Sequence, residues 1–166
     1  MESQIIFNPD NMNANLYNKG ISLIEVVVVI GILSVILSLG LVMSLDSYRG
    51  YLFRSERTIL VSILSKARSQ AMGNFFQSPH GVCFDDLTKS YIHFKGTHFV
   101  LGDPKNELTP SNDAISISAV PSFSCAVNGG VVFSQIAGTT TPTQIVMNED
   151  ANVAIISINY EGTISW

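Results

Sequence analysis

The stretch that decides the fold is NKGISLIEVVVVIGILSVILSLG, Asn18 to Gly40. From Val26 to Leu45 there are 20 residues without a charge. A helix of that length spans about 30 Å, the thickness of a bilayer core. One carboxylate, Glu25, stands at its start. Burying a charge in hydrocarbon costs roughly 2.5–3.5 kcal/mol even on lenient insertion scales, so Glu25 needs a partner.

Outward from that run, the 166 residues leave room for one domain and an appendage. Only 13% of residues are charged and the mean hydropathy is positive, because apolar content is concentrated at one end. A secretory signal would need a basic start and a small-x-small cut site. Here Lys19 stands alone against Glu2 and Asp10, and the apolar pattern continues past Ser38-Leu39-Gly40. The run reads as a retained membrane anchor.

Lys19-Gly20, then Ile21-Ser22-Leu23-Ile24-Glu25, then the apolar run, resembles the prepilin signature of type IV pilins and type II secretion pseudopilins. In that family a membrane aspartyl peptidase cuts after the glycine and methylates the new N-terminus. The resemblance implies cleavage between Gly20 and Ile21, N-methylation of Ile21, and an assembly role for Glu25. Ile21 stands where the family more often has Phe, and the leader is long; starting at Met12 would shorten it to nine residues. Cleavage frees an α-amine at Ile21, four residues from Glu25. The acid is favoured near a helix N-terminus and can pair with that amine in the same subunit. In a filament, family precedent pairs it with a neighbour's N-terminus. A desolvated pair adds little raw stability, but an unpaired partner costs several kcal/mol, so the pair sets register.

Downstream, Phe53, Leu60, Leu64, Ala67 and Ala71 recur at helical spacing, widened by Leu52, Ile59 and Ile63. Arg49, Arg54, Arg57, Lys66, Arg68 and Gln70 mostly fall outside that stripe. Gly73-Asn74 offers a C-cap, with Pro79 beyond. One helix from about residue 22 to about 73 is expected, with Gly40 and Gly50 as hinges or, equally, as points of close helix packing.

The rest reads as strands: 81–84, 91–94, 98–101, 114–120, 131–133, 145–147, 153–160 and 163–166. Ile92 and Phe94 are expected to face inward, with Tyr91, His93 and Lys95 on the polar face. Loops 102–113 and 135–143 are expected to be exposed. The expected fold is α+β and pilin-like: one long N-terminal helix packed on a C-terminal antiparallel sheet or pair of sheets. Its divisions are a leader at 1–20, a membrane half at 21–45, an amphipathic half at 46–74 and a β-rich domain at 75–166.

LSKARSQAMGN, Leu64 to Asn74, resembles the helix end of the H-type pseudopilins and T-type fimbrial minor pilins. The closing ISINYEGTISW, Ile156 to Trp166, resembles their last hairpin. Some T-type members bind DNA through arginines just after that hairpin's glycine, where this chain has Thr163, Ile164 and Ser165. Beyond residue 75, three lysines face eight acids and no arginine, a net charge of about −5 that repels phosphate. Arg49, Arg54, Arg57, Lys66 and Arg68 form a local basic set, read as a solvated or filament-facing helix surface.

No G-x-S-x-G, H-E-x-x-H or phosphate-binding glycine loop occurs. His80, Cys83, Asp85, Asp86 and His93 invite a metal, but His93 reads as a surface histidine and Asp85-Asp86 as a turn before Leu87-Thr88; no metal and no cofactor are expected. Cys83 and Cys125 lie in the part that faces an oxidising compartment, either bridged across a 43-residue loop or as two buried thiols.

What the resemblance implies is a non-enzymatic minor pseudopilin or pilin, held single-pass in a bacterial inner membrane with its C-terminal domain outside the cytoplasm, then assembled. Implied partners are a prepilin peptidase, other pilins through the helix, an inner-membrane assembly platform and, before assembly, lipid. Nucleic acid is not expected. A major pilin, a non-polymerising membrane-anchored binding module and a DNA-uptake pilin remain the alternatives.

Overall fold

The computed structural model describes residues 20–127 and 129–166; the leader up to Lys19, with the alternative start at Met12, lies outside the described residues. Helix α1 covers Leu23–Met72. The chain separates into two compact units divided between Ser44 and Leu45.

In the first unit, the window Leu23–Gly40 is long and apolar enough to cross a membrane, and none of it is buried by the chain itself. A helix suits such a segment because every backbone polar group bonds internally. Its serines do the same: the Ser34 hydroxyl donates to the Ile30 carbonyl at 2.8 Å, and Ser38 to that of Val35 at 3.0 Å.

In the second unit, α1 presents the expected stripe, with Phe53, Leu60, Leu64, Ala67 and Ala71 all buried. The helix ends where Asn74 enters the left-handed region (φ 55°) after Gly73, as expected of a C-cap. Its amide donates to the Ala71 carbonyl at 3.1 Å, and that carbonyl also accepts the Ile136 amide at 2.9 Å. The Gln135 side chain donates to Asn74 Oδ1.

Two four-stranded antiparallel sheets complete this unit. The strands are β1 (His80–Asp85), β2 (Ser90–Lys95), β3 (Glu107–Pro110), β4 (Ser116–Val120), β5 (Val131–Phe133), β6 (Thr143–Glu149), β7 (Asn152–Ile158) and β8 (Ile164–Ser165). Sheet 1 runs β3-β2-β1-β5 and sheet 2 runs β4-β6-β7-β8. In sheet 2 the period of two holds. Ile145 opposes Ile156 and Met147 opposes Ala154, all four buried, while Gln144 and Ile155 lie exposed on the outer face.

Sheet 1 departs from expectation. Val82 pairs with His93 and Phe84 with Tyr91, so Tyr91 and His93 share a face with the principal core. Ile92 and Phe94 lie on the opposite face, in a smaller cluster with Cys83 and Cys125, against which Phe99 packs. The inner and outer faces of β2 are therefore the reverse of the alternation read from Ile92 and Phe94. A second cover makes the outer face apolar as well, and His93 is buried rather than on the surface. No strand forms at 98–101; Phe99 instead meets Phe94 edge-on, ring centres 6.2 Å apart. The strand that does form, β3, lies within the expected loop at 102–113. It is an edge strand and ends at Pro110, where a missing N–H is tolerated. The 135–143 segment is not wholly exposed either: Thr140 is buried and its amide donates to the Tyr160 carbonyl at 3.0 Å.

Candidate functional site: the start of the apolar helix

Gly20 and Ile21 precede α1 in irregular backbone, both exposed. The Ser22 carbonyl accepts from the Glu25 amide at 3.0 Å and from the Val26 amide at 3.3 Å, which starts the helix. Glu25 is thus the third helical residue, and Ser22-x-x-Glu25 has capping-box spacing, a signal beyond those used above. Carboxylates belong there because unpaired amides and the helix dipole favour negative charge. Ile21, Leu23 and Ile24 around it are 77%, 82% and 65% exposed. An exposed acid ringed by bare apolar side chains is a surface built to be covered. Among the described residues, a Cβ at Gly31, Gly40 or Gly50 would meet nothing within 4 Å.

Other singled-out residues fall as follows. Cys83 and Cys125 are joined as a disulfide, Cα atoms 5.1 Å apart. Asp85 caps its own turn, accepting from the Leu87 amide at 3.1 Å and the Thr88 hydroxyl at 2.8 Å. The supposed metal set does not converge: Cys83 is bonded to sulfur, Asp85 is engaged in that turn, and His80 sits at the far end of β1. His80 and His93 do come together, buried. The basic set on α1 is largely occupied within the second unit. Arg49 pairs with Asp150 at 3.3 Å, Lys66 pairs with Glu107, and Arg68 donates to the Glu161 carbonyl at 3.0 Å.

Two buried acids escaped the sequence reading. Glu56, 6% exposed, accepts the Asn112 amide at 3.3 Å. It lies three residues after Phe53 and four before Leu60, so its place on the stripe was legible. Tyr91 sits beside it; burial first, then the Glu56 charge, pushes the phenol pKa well above its ordinary value. Glu149 is also 6% exposed.

Comparison with known proteins bears on the helix start. The family described as "Prokaryotic N-terminal methylation motif" matches residues 15–41. No curated protein matches the chain. Among solved structures, the minor pseudopilin EpsH from the Type 2 Secretion System of Vibrio cholerae is similar at 13% identity, over 67% of this chain and 91% of that one, with a TM-score of 0.47. That is a loose likeness. The methylation motif is the firmer finding; its matched residues include Gly20, Ile21 and Glu25, and they run into a helix that continues to Met72 before two antiparallel sheets. The chain carries a prokaryotic N-terminal methylation motif at the head of a helix long and apolar enough to cross a membrane.

Proposed function

We propose that the chain is a minor subunit of a type II secretion pseudopilus or type IV pilus, of the H or T type, and that it acts by assembly and not by catalysis. The observation that carries this is the matched motif, followed by an apolar helix face left bare from Leu23 to Gly40 with Glu25 in its first turn. Prepilin peptidase cuts after Gly20 and methylates Ile21. The subunit then waits single-pass in the inner membrane with residues 75–166 outside the cytoplasm. Transfer from lipid to the company of other pilin helices, through the assembly platform, exchanges one apolar surrounding for another. That transfer gains little hydrophobic energy, so packing at small residues and the Glu25 charge decide partner and register. Gly31, Gly40 and Gly50 are the positions at which a neighbouring helix can approach most closely.

The test is the mature N-terminus. In membranes of cells that have a prepilin peptidase, intact mass and N-terminal peptide analysis should find N-methylated Ile21. A chain that keeps residues 1–20 there overturns the reading.

A further inference from the structure

Three side chains and one carbonyl form a continuous polar line through sheet 1. His80 and His93 are 1% and 5% exposed, their rings stacked with centres 5.4 Å apart. His80 Nε2 lies 3.1 Å from the Phe75 carbonyl oxygen, and His80 Nδ1 lies 3.3 Å from His93 Nε2. His93 Nδ1 has no hydrogen-bond partner; the nearest acid, Glu107 Oε2, is 3.7 Å away. Glu107 is itself paired with Lys66 of α1.

These contacts assign the protons. A carbonyl only accepts, so His80 carries its hydrogen on Nε2. A neutral imidazole has one N–H, so His80 Nδ1 is an acceptor and the proton between the rings belongs to His93 Nε2. His93 Nδ1 is then a bare lone pair, buried and turned toward a carboxylate. The uncharged pair has one arrangement that makes both bonds. One added proton fits at His93 Nδ1, which faces Glu107 Oε2 at 3.7 Å. A second, on His80 Nδ1, sets N–H against N–H and breaks the bond between the rings.

The line ends on a strained segment. Asn74, Phe76 and Gln77 all have positive φ, at 55°, 56° and 50°. Left-handed backbone is unfavourable for a bulky residue such as Phe, and it persists only where its surroundings hold it. The bond from His80 to the Phe75 carbonyl is one such hold. Phe76 contributes another, its ring under the Lys95 ammonium at 5.3 Å and the Lys105 ammonium at 5.3 Å.

We propose that the His80–His93 pair is an acid-sensitive latch: uncharged, it ties the turn after α1 through His80 to His93 of β2, and proton uptake below neutral pH breaks that tie between the rings. The groups that face His93 are His80 from β1, Glu107 from β3 and Lys66 from α1. Burial, chiefly, with His80 and Lys66 adding to it, holds the His93 pKa below the ordinary value against the opposing pull of Glu107. The folded chain therefore binds fewer protons than the unfolded one. The latch is fully effective above the unfolded histidine pKa of about 6.5, and its contribution is lost as pH falls from there through the folded value.

The full chain in detergent micelles tests this by thermal unfolding between about pH 7.5 and about pH 5, the range in which histidine charge changes. The unsubstituted protein should lose melting temperature steadily toward acid, with faster amide exchange at 74–80 while β6 and β7 stay protected. H93Q keeps a donor toward His80 Nδ1 but has no proton to gain, so its acid slope should flatten. H98Q, which alters an exposed histidine, should keep the slope of the unsubstituted chain. Equal slopes for the unsubstituted chain and H93Q overturn the latch, as does flattening by H98Q. Where H93Q fails to fold, ring-proton NMR of the three histidines decides. A His93 midpoint below about 6.5 supports the latch, and one at or above that value overturns it.

Discussion

Glu25 is the residue on which assembly should turn. With the proposed cleavage after Gly20 the Ile21 amine becomes its natural counter-charge, and losing either partner from a dry helix bundle strands the other at a cost of a few kcal/mol. Glu25→Ala should therefore insert, be cleaved and keep a normal C-terminal domain, yet fail to crosslink to partner pilins in membranes. Glu25→Gln should recover only part, since an amide accepts a hydrogen bond but supplies no charge. Equal crosslinking in mutant and unsubstituted protein would make Glu25 a bystander. Glu56 is a different kind of acid, engaged inside its own fold. Glu56→Ala removes the acceptor for the half-buried Asn112 amide and should destabilise by about 1–3 kcal/mol in denaturant unfolding. Tyr91→Phe, which deletes a buried hydroxyl with no bonding partner, should cost less than about 1 kcal/mol. Glu25 was legible because one acid interrupts an otherwise uncharged run. The place of Glu56 on the stripe was legible too; its burial was not, because its partner arrives from 56 residues away.

The α1 stripe and the sheet 2 strands were legible for one reason: each has a single buried face, so its apolar period equals its geometric period. Strand β2 has two buried faces, and alternation then carries no information about which one meets the helix. The second cover comes from the Cys125 turn, distant in sequence, and from Phe99, five residues beyond Phe94. Within that cover Gly81 is required by space. It pairs with Phe94, whose ring lies directly where a Gly81 Cβ would project. Gly81→Ala should push that ring out of the smaller cluster and destabilise by about 1–3 kcal/mol, read as a lower denaturant midpoint at unchanged slope. An unchanged midpoint would mean that Phe94 moves freely. Edge strand β3 escaped notice because Glu-Leu-Thr-Pro has no apolar alternation; its pairing with β2 comes from backbone bonds, which any sequence short of several prolines can make.

For the molecule as a whole, the division near residue 45 carries a prediction of its own. A chain lacking residues 1–46 keeps the entire buried stripe from Phe53 to Ala71 and both sheets. It should be a soluble monomer by size-exclusion chromatography, with mixed helix and strand signals in circular dichroism. An unfolded product would mean that the apolar segment is needed for folding and not only for anchorage. The Cys83–Cys125 bridge closes a loop worth on the order of 4 kcal/mol in the chain-entropy model, and this truncated form is where reduction would be measured most simply. The amino-acid sequence alone determined the long apolar run, the methylation motif, the amphipathic stripe and the presence of a β-rich second part, because each rests on periodicity or on residues adjacent in the chain. Folding in three dimensions chose the face that β2 turns to the helix, the β3 edge, the burial of Glu56 and the stacking of His80 on His93. Each of those depends on which distant segment supplies the cover, and burial is a property of the cover as much as of the residue beneath it.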